Sequence, residues 1–319
     1  MQHPSDPRMS HPASPAGPPG REDCGPGGGC CKKMTILAKS NHSKMSDSVR
    51  TVLLTGGSSG IGAATAAILC DSGMTVYAAS RSGKAPEGYE GRENLIPVVM
   101  DVNDEAAIKA VIERIVSERG SLDAVVCNAG NGIAGPVEET SIEEVESQLS
   151  TTFYGVVKTI QACLPGFRDQ GHGRIVTISS VAAVAPLPFQ GFYSCAKAGI
   201  LQLTKVVAME AGPFGVQTCC ILPGDVKTGF TKARKVALKA QDPSSPYHGM
   251  TVRGIKHMEK DEQKEGMPPK VIADAVLRQL KKKRMKPEVT PSFLYSVLVW
   301  AIRRFPQSIV LKVIWKMYS

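Results

Sequence analysis

The sequence has no apolar run of the length that crosses a bilayer. In the C-terminal tail the run Phe293 to Ile302 is ten residues, where about 20 are needed. The N terminus lacks the apolar core of about 7–15 residues that a secretory signal requires. Its first 30 residues hold 7 Pro and 6 Gly instead, so residues 1–48 read as a disordered leader. Cysteines are odd in number, nine in all, and mostly scattered through apolar stretches. That pattern excludes a disulfide framework and points to reduced thiols in the cytoplasm. Cys30 and Cys31 have no partner spacing for a metal. Acidic residues are nearly absent from residues 281–319, where nine Lys or Arg face Glu288 alone; this tail carries +8 of a net charge of +9, residues 1–50 add +3, and the body is left at −2. Such a body is excluded as a nucleic-acid binder.

What is present is an alternation of two periods. Short β-branched runs, "TVLLTGG", "MTVYAAS", "NLIPVVMD", "LDAVVCNAG", "GRIVTISS" and "VQTCCILPG", are separated by helical patterns. Strands without in/out alternation are buried on both faces, which predicts a doubly wound parallel sheet with crossover helices. Ligands of such a sheet sit at the carboxyl ends of its strands. No internal repeat interrupts the pattern. After the sixth run it loosens over residues 225–268, a polar, Lys-rich segment expected to be a lid or a disordered loop.

Three motifs carry chemistry. "TGGSSGIG", Thr55 to Gly62, lies between a strand and a helix. Gly56, Gly60 and Gly62 let the backbone turn tightly and approach a pyrophosphate, whose charge the helix N terminus meets. "CNAG" spans residues 127–130, and "GFYSCAKAG" places Tyr193 four residues before Lys197, on one helical face. Tyrosine titrates near about 10 and is a poor base unless a positive charge stabilises its phenolate. Lys197 is expected to supply that charge.

In order and spacing these motifs resemble the classical short-chain dehydrogenases/reductases over roughly residues 50–280, and the long, Met-containing lid resembles that of the hydroxysteroid and retinol dehydrogenase branch. The resemblance implies a single Rossmann-type domain over 49–290, binding a nicotinamide dinucleotide and moving hydride between it and an alcohol or carbonyl. It implies that Tyr193 exchanges the proton of the substrate oxygen, that Lys197 also binds the nicotinamide ribose, and that Ser180, rather than the adjacent Ser179, hydrogen-bonds the substrate oxygen. It further implies a cofactor site of Gly56, Ser58, Ser59, Gly60, Ile61, Gly62, Asp101, Val102, Asn128, Ala129, Gly130, Pro223, Gly224, Val226 and Thr228, a homodimer or homotetramer, and no metal. "AASRSGK" has no acid to bind a ribose hydroxyl, whereas Arg81, with Ser58, suits a 2′ phosphate. NADP(H) is therefore favoured over NAD(H).

The sequence departs from the family at one place. "LSTTFYGVVKT" puts Thr152 where an asparagine usually stands behind the lysine and relays protons through a water. A threonine lacks the amide's separate donor and acceptor arms, so a relay is expected to be impaired or to run through Thr151 or Ser150. Phe230, Met250 and Met258 of the lid are candidate contacts for a hydrophobic substrate such as a steroid, retinoid or lipid ketone; Phe189 and Phe192 suit either the pocket or the core. An acyl-chain or acyl-dihydroxyacetone-phosphate ketoreductase is the rival enzyme reading. A dinucleotide sensor or scaffold that has lost catalysis is the alternative of another class. The tail, 291–319, reads as two short amphipathic helices with basic flanks, which suit an interfacial membrane contact, a roof over the pocket or a dimer contact.

Overall fold

A computed structural model describes residues 49–264 and 266–318. The expected leader, with Cys30 and Cys31, lies outside the described residues. The strands are β1 (Thr51–Thr55), β2 (Thr75–Ser80), β3 (Leu95–Val99), β4 (Ala124–Cys127), β5 (Ile133–Ala134), β6 (Gly173–Ile178), β7 (Val216–Ile221), β8 (Lys235–Val236) and β9 (Glu288–Val289). The helices are α1 (Gly60–Asp71), α2 (Glu105–Arg119), α3 (Ile142–Leu149), α4 (Gly155–Gln170), α5 (Gly191–Glu210), α6 (Phe230–Ala233), α7 (His248–Lys264), α8 (Pro269–Lys281), α9 (Phe293–Arg304) and α10 (Gln307–Tyr318).

Seven strands form one parallel sheet in the order β3-β2-β1-β4-β6-β7-β9. All six β-branched runs are strands of it. The register turns Leu53, Val125, Ile175 and Cys220 to one face, where α2, α4 and α5 cover them with Ile108, Ile160 and Ile200. Val52, Leu54, Val126 and Ile221 face the other side, beneath Leu69 of α1 and Ile272 and Val276 of α8. Burial on both sides is why the runs show no alternation. The edge strand β3 is the exception: Val99 is exposed, and Pro97 sits where no interior strand would tolerate it.

Helix boundaries follow local chemistry. Asp104 caps α2 by accepting hydrogen bonds from the amides of Ala106 and Ala107, and Gly120 ends it in the left-handed region at φ 81°. Ser141 and Glu144 close a reciprocal capping box on α3. Between α3 and α4 the chain widens into a π-helical turn, Ser150–Tyr154, a feature found often at functional sites.

The segment expected to be a loose lid is largely ordered into α6, β8 and α7, with β8 pairing to β5. Its apolar residues are too dispersed among charges for a strong helical signal, and packing supplies the remainder. Met258 of α7 is buried, and Gly254 brings α7 against the ring of Phe189, where a Cβ would lie 2.5 Å from Cδ2. Phe189 is the only non-glycine residue with positive φ, 61°, among the described residues. The tail also folds onto the body: Ile302 of α9 and Val310 of α10 pack with Ala185, and Glu288 of β9 bridges Arg303 and Lys205. No described helix is long and apolar enough to cross a membrane.

Candidate active site

The carboxyl ends of the strands open into a cleft of about 840 Å³. One half is built on the glycine loop. Thr55 Oγ1 accepts hydrogen bonds from the amides of Asn128 and Ala129 at 3.0 and 3.1 Å, and the Asn128 side-chain amide donates to the carbonyls of Thr55 and Gly56, both at 3.1 Å. These bonds tie the end of β1 to the end of β4. Gly62 then approaches so closely that a Cβ there would lie 1.9 Å from the Gly56 carbonyl oxygen. Ser59, the N-cap of α1, makes no side-chain cap, and no acid stands in the first turn. The helix therefore presents uncapped amides and a positive dipole end to the cleft, beside a cradle that any side chain would fill. That construction fits a dinucleotide pyrophosphate.

Most of the residues expected around the cofactor line this cleft: Gly56, Ser58, Ser59, Gly60, Ile61, Arg81, Asp101, Val102, Asn128, Ala129, Gly130, Pro223, Gly224, Val226 and Thr228. Gly62 stands behind the lining and shapes it. Arg81 is exposed at the rim, one residue beyond β2, and makes no ion pair among the described residues. Asp101 accepts a hydrogen bond from the Asn103 amide, which fixes the turn after β3.

The other half holds Ser180, Tyr193 and Lys197. Ser180 ends the segment after β6, and Tyr193 and Lys197 stand one turn apart on α5. Burial pushes the Tyr193 phenol up to about 12, opposed by the neighbouring Ser180 hydroxyl and by the nearby Arg234 cation. Lys197 Nζ donates to the Ile178 carbonyl at 2.9 Å and lies 5.6 Å from the centre of the Tyr193 ring. Only 6% exposed, its ammonium is pulled down to about 8 by burial. The expected lowering of Tyr193 by Lys197 is therefore corrected: in the protein alone desolvation dominates both groups. A neutral phenol at pH 7 is suited to giving a proton away. Ser179 points elsewhere, donating to the Lys197 carbonyl at 2.7 Å, and holds the helix rather than the substrate.

Thr152 is fully buried in the π-helical turn. It does not stand alone. Gln148, one turn earlier and also fully buried, donates to Thr152 Oγ1 at 2.9 Å and to the Asn131 carbonyl at 2.9 Å, and accepts from the Ile133 amide at 2.7 Å. Thr152 in turn donates to Asn131 Oδ1 at 2.8 Å. The amide that Thr152 lacks is thus supplied by two neighbours. Thr152 Oγ1 and Lys197 Nζ both border the space beside Gly130, each within 4 Å of where a Cβ on that glycine would lie. Thr151 and Ser150 are turned away from this network, bonded to Asn103 and to the Ser147 carbonyl.

The lid and tail close the pocket. The Phe230 ring lies 5.9 Å from that of Tyr193, and Met258 lines the same wall. Met250 and Phe192 do not line it, and Phe189 packs against α7. Tyr295 of α9 packs on Gly224, where a Cβ would lie 2.2 Å from its ring, and donates to Asp225 Oδ2 at 2.5 Å. Tyr318 of α10 reaches the cleft itself. Gln148, Asn131, Arg234 and these two tyrosines carry no sequence motif; only the polar residues of "VESQLSTT" at helical spacing hinted at Gln148.

The short chain dehydrogenase family matches residues 50–238. The chain is 35% identical over 232 residues to a 3-ketodihydrosphingosine reductase of Bacteroides thetaiotaomicron, covering 73% of this chain and 84% of that protein. It is 34% identical over 195 residues to human 17-beta-hydroxysteroid dehydrogenase type 1, covering 56% and 57%. The structure of a short-chain dehydrogenase from Streptomyces avermitilis superposes with a TM-score of 0.70 at 24% identity, covering 83% of this chain and 96% of that one. With the strand order, the glycine loop and the Ser180, Tyr193 and Lys197 cluster in place, this chain belongs to the short-chain dehydrogenase/reductase family. It is an oxidoreductase of CH–OH and carbonyl groups, with a dinucleotide-binding Rossmann fold.

Two outcomes follow from the buried polar groups. Gln148→Met leaves the Ile133 amide without its acceptor and should cost about 1–3 kcal/mol, read by chemical denaturation. Lys197 has a folded pKa depressed to about 8 from 10.5, so the unfolded chain binds more protons between those values and stability rises with pH there. Wild type should gain in Tm relative to Lys197→Met between about pH 8 and 10.5, measured by thermal scans across that range.

Proposed function

We propose that this protein is an NADP(H)-dependent reductase of hydrophobic ketones, working on a lipid-like, steroid or retinoid carbonyl. The observation that carries this reading is the gathering of Ser180, Tyr193 and Lys197 in one cleft, with Lys197 Nζ 5.6 Å from the centre of the Tyr193 ring, opening on an uncapped helix end. The bound nicotinamide would supply the hydride. Gly56, Ile61 and the α1 amides would hold its pyrophosphate, Arg81 with Ser58 its 2′ phosphate, and Lys197 its ribose. Ser180 and Tyr193 together receive the carbonyl oxygen. The Tyr193 phenol, kept neutral by burial, gives its proton to that oxygen, and the nearby positive charge of Lys197 stabilises the phenolate left behind. Proton return runs past Lys197 and the space beside Gly130 toward Thr152, with Gln148 and Asn131 fixing the threonine hydroxyl.

The likeness to a 3-ketodihydrosphingosine reductase favours a long-chain keto substrate over a rigid steroid. The apolar wall of Phe230 and Met258 supports either. An intact proton donor weighs against a sensor without catalysis. The family's habit of self-association extends here to a homodimer or homotetramer, with the exposed Tyr154, Val206 and Met209 available as contacts.

Purified protein with NADPH should reduce long-chain ketones, and Tyr193→Phe should lose about 10²–10⁴-fold in kcat while NADPH binding is kept. Arg81→Gln should narrow the NADPH preference over NADH; a wild-type preference for NADH would overturn the cofactor assignment.

The same reading places α9 and α10 on a lipid surface. Phe293, Leu294, Trp300, Phe305 and Trp315 are exposed, and Arg303, Arg304, Lys312 and Lys316 stand among them. Two amphipathic helices with basic flanks suit an interface carrying anionic lipid. The full chain should float with vesicles containing phosphatidylserine, and Trp300→Asp with Trp315→Asp should remain at the bottom of the gradient.

A further inference from the structure

In the wall of the pocket, the Arg234 side chain is only 4% exposed. Its Nη2 is bonded to Glu262, but its Nε and Nη1 have no hydrogen-bond partner among the described residues. A buried guanidinium normally engages its whole fork. Its position is fixed from three sides: the stem lies against Gly132, the guanidinium stands 5.8 Å from the centre of the Phe230 ring, and that ring lies beside Tyr193. One aromatic ring therefore separates the unengaged donors from the proton donor. Since Glu262 already matches the charge of Arg234, what remains available is hydrogen-bond donation rather than charge.

We propose that Arg234 is a specificity residue that binds an uncharged oxygen acceptor of the substrate, a hydroxyl, ester or second carbonyl, a few bonds from the carbonyl that is reduced. This deepens the reductase reading and rests on it for the position of the reacting carbonyl. The preferred substrate then has three parts: an apolar chain along Phe230 and Met258, a carbonyl at Ser180 and Tyr193, and an oxygen-bearing head toward Arg234. A site built to pair with such an oxygen rejects an analogue that lacks it, because its own buried donors are then left unmatched.

The test uses three probes of equal length: a long-chain 3-ketone with a hydroxyl at carbon 1, the same ketone without the hydroxyl, and the corresponding keto acid. Binding is measured by calorimetry on the full chain in the presence of NADP⁺, and kcat/KM with NADPH. Wild type should bind the hydroxyketone about 10- to 100-fold more tightly than the deoxy compound, with a matching ratio in kcat/KM. Arg234→Met with Glu262→Leu, which removes both partners and leaves no orphaned carboxylate, should bring the two ketones within about twofold by lowering affinity for the hydroxyketone alone. Arg234→Lys, which keeps the charge and loses the fork, should behave similarly and guards against misfolding of the double variant. Equal binding of hydroxy and deoxy ketones by wild type overturns the proposal. A wild-type preference for the keto acid that is lost in the variants overturns the choice of an uncharged head. Head-group discrimination in binding without turnover of any ketone supports the Arg234 assignment and sinks the reductase reading; turnover without discrimination does the reverse.

Discussion

The side-chain amide of Asn128 holds two consecutive carbonyl oxygens, those of Thr55 and Gly56, and the cleft depends on that hold. Without it, the ends of β1 and β4 would be tied beyond the strand ladder only through Thr55 Oγ1, and the loop between β1 and α1 through the Gly57 amide on the Ala79 carbonyl. With it, the Gly56 carbonyl is presented to Gly62 at a distance that leaves room for a hydrogen and nothing larger. The start of α1 is thereby aimed at the carboxyl edge of the sheet. Everything that follows, including the uncapped amides and the reach of Thr228 to the side of Gly60, is geometry inherited from one amide.

The polar side chains on the far wall obey a different constraint, which is that no buried group may be left over. Gln148, Thr152 and Asn131 exchange donors and acceptors until each main-chain partner is served. The same demand explains Ser179, whose hydroxyl bonds the carbonyl of Lys197 and so holds the lysine's own helix in register. On the cleft wall, among the described residues, Arg234 is where the demand is not met. Satisfied groups fix the machinery, and the unsatisfied one marks where a ligand has work to do.

How much of this was legible beforehand depends on how local each signal is. The strands declared themselves because burial on both faces of a parallel sheet writes an unbroken apolar run. Tyr193, Lys197 and the glycine loop did so because each is a fixed spacing within one element. Gln148 could not be read as the partner of Thr152 without knowing that a π-helical turn follows it. Arg234 and Tyr318 reach the pocket, and Tyr295 the Gly224 backbone that lines it, from separate stretches of the chain, so no spacing encodes their meeting. The lid appeared loose because its apolar residues are diluted by lysine and glutamate, and only contact with Phe189 and Gln190 shows which face of α7 is inward.

Phe189 gives that contact a mechanical sense. A bulky residue at φ 61° occupies a conformation that costs on the order of 1–3 kcal/mol, and it sits just before the helix that carries Tyr193. The ring is held there by α7, which can come close enough only because position 254 is glycine. The pocket therefore carries one strained backbone position at the entry to the catalytic helix, and the packing of α7 on its ring is what offsets that cost.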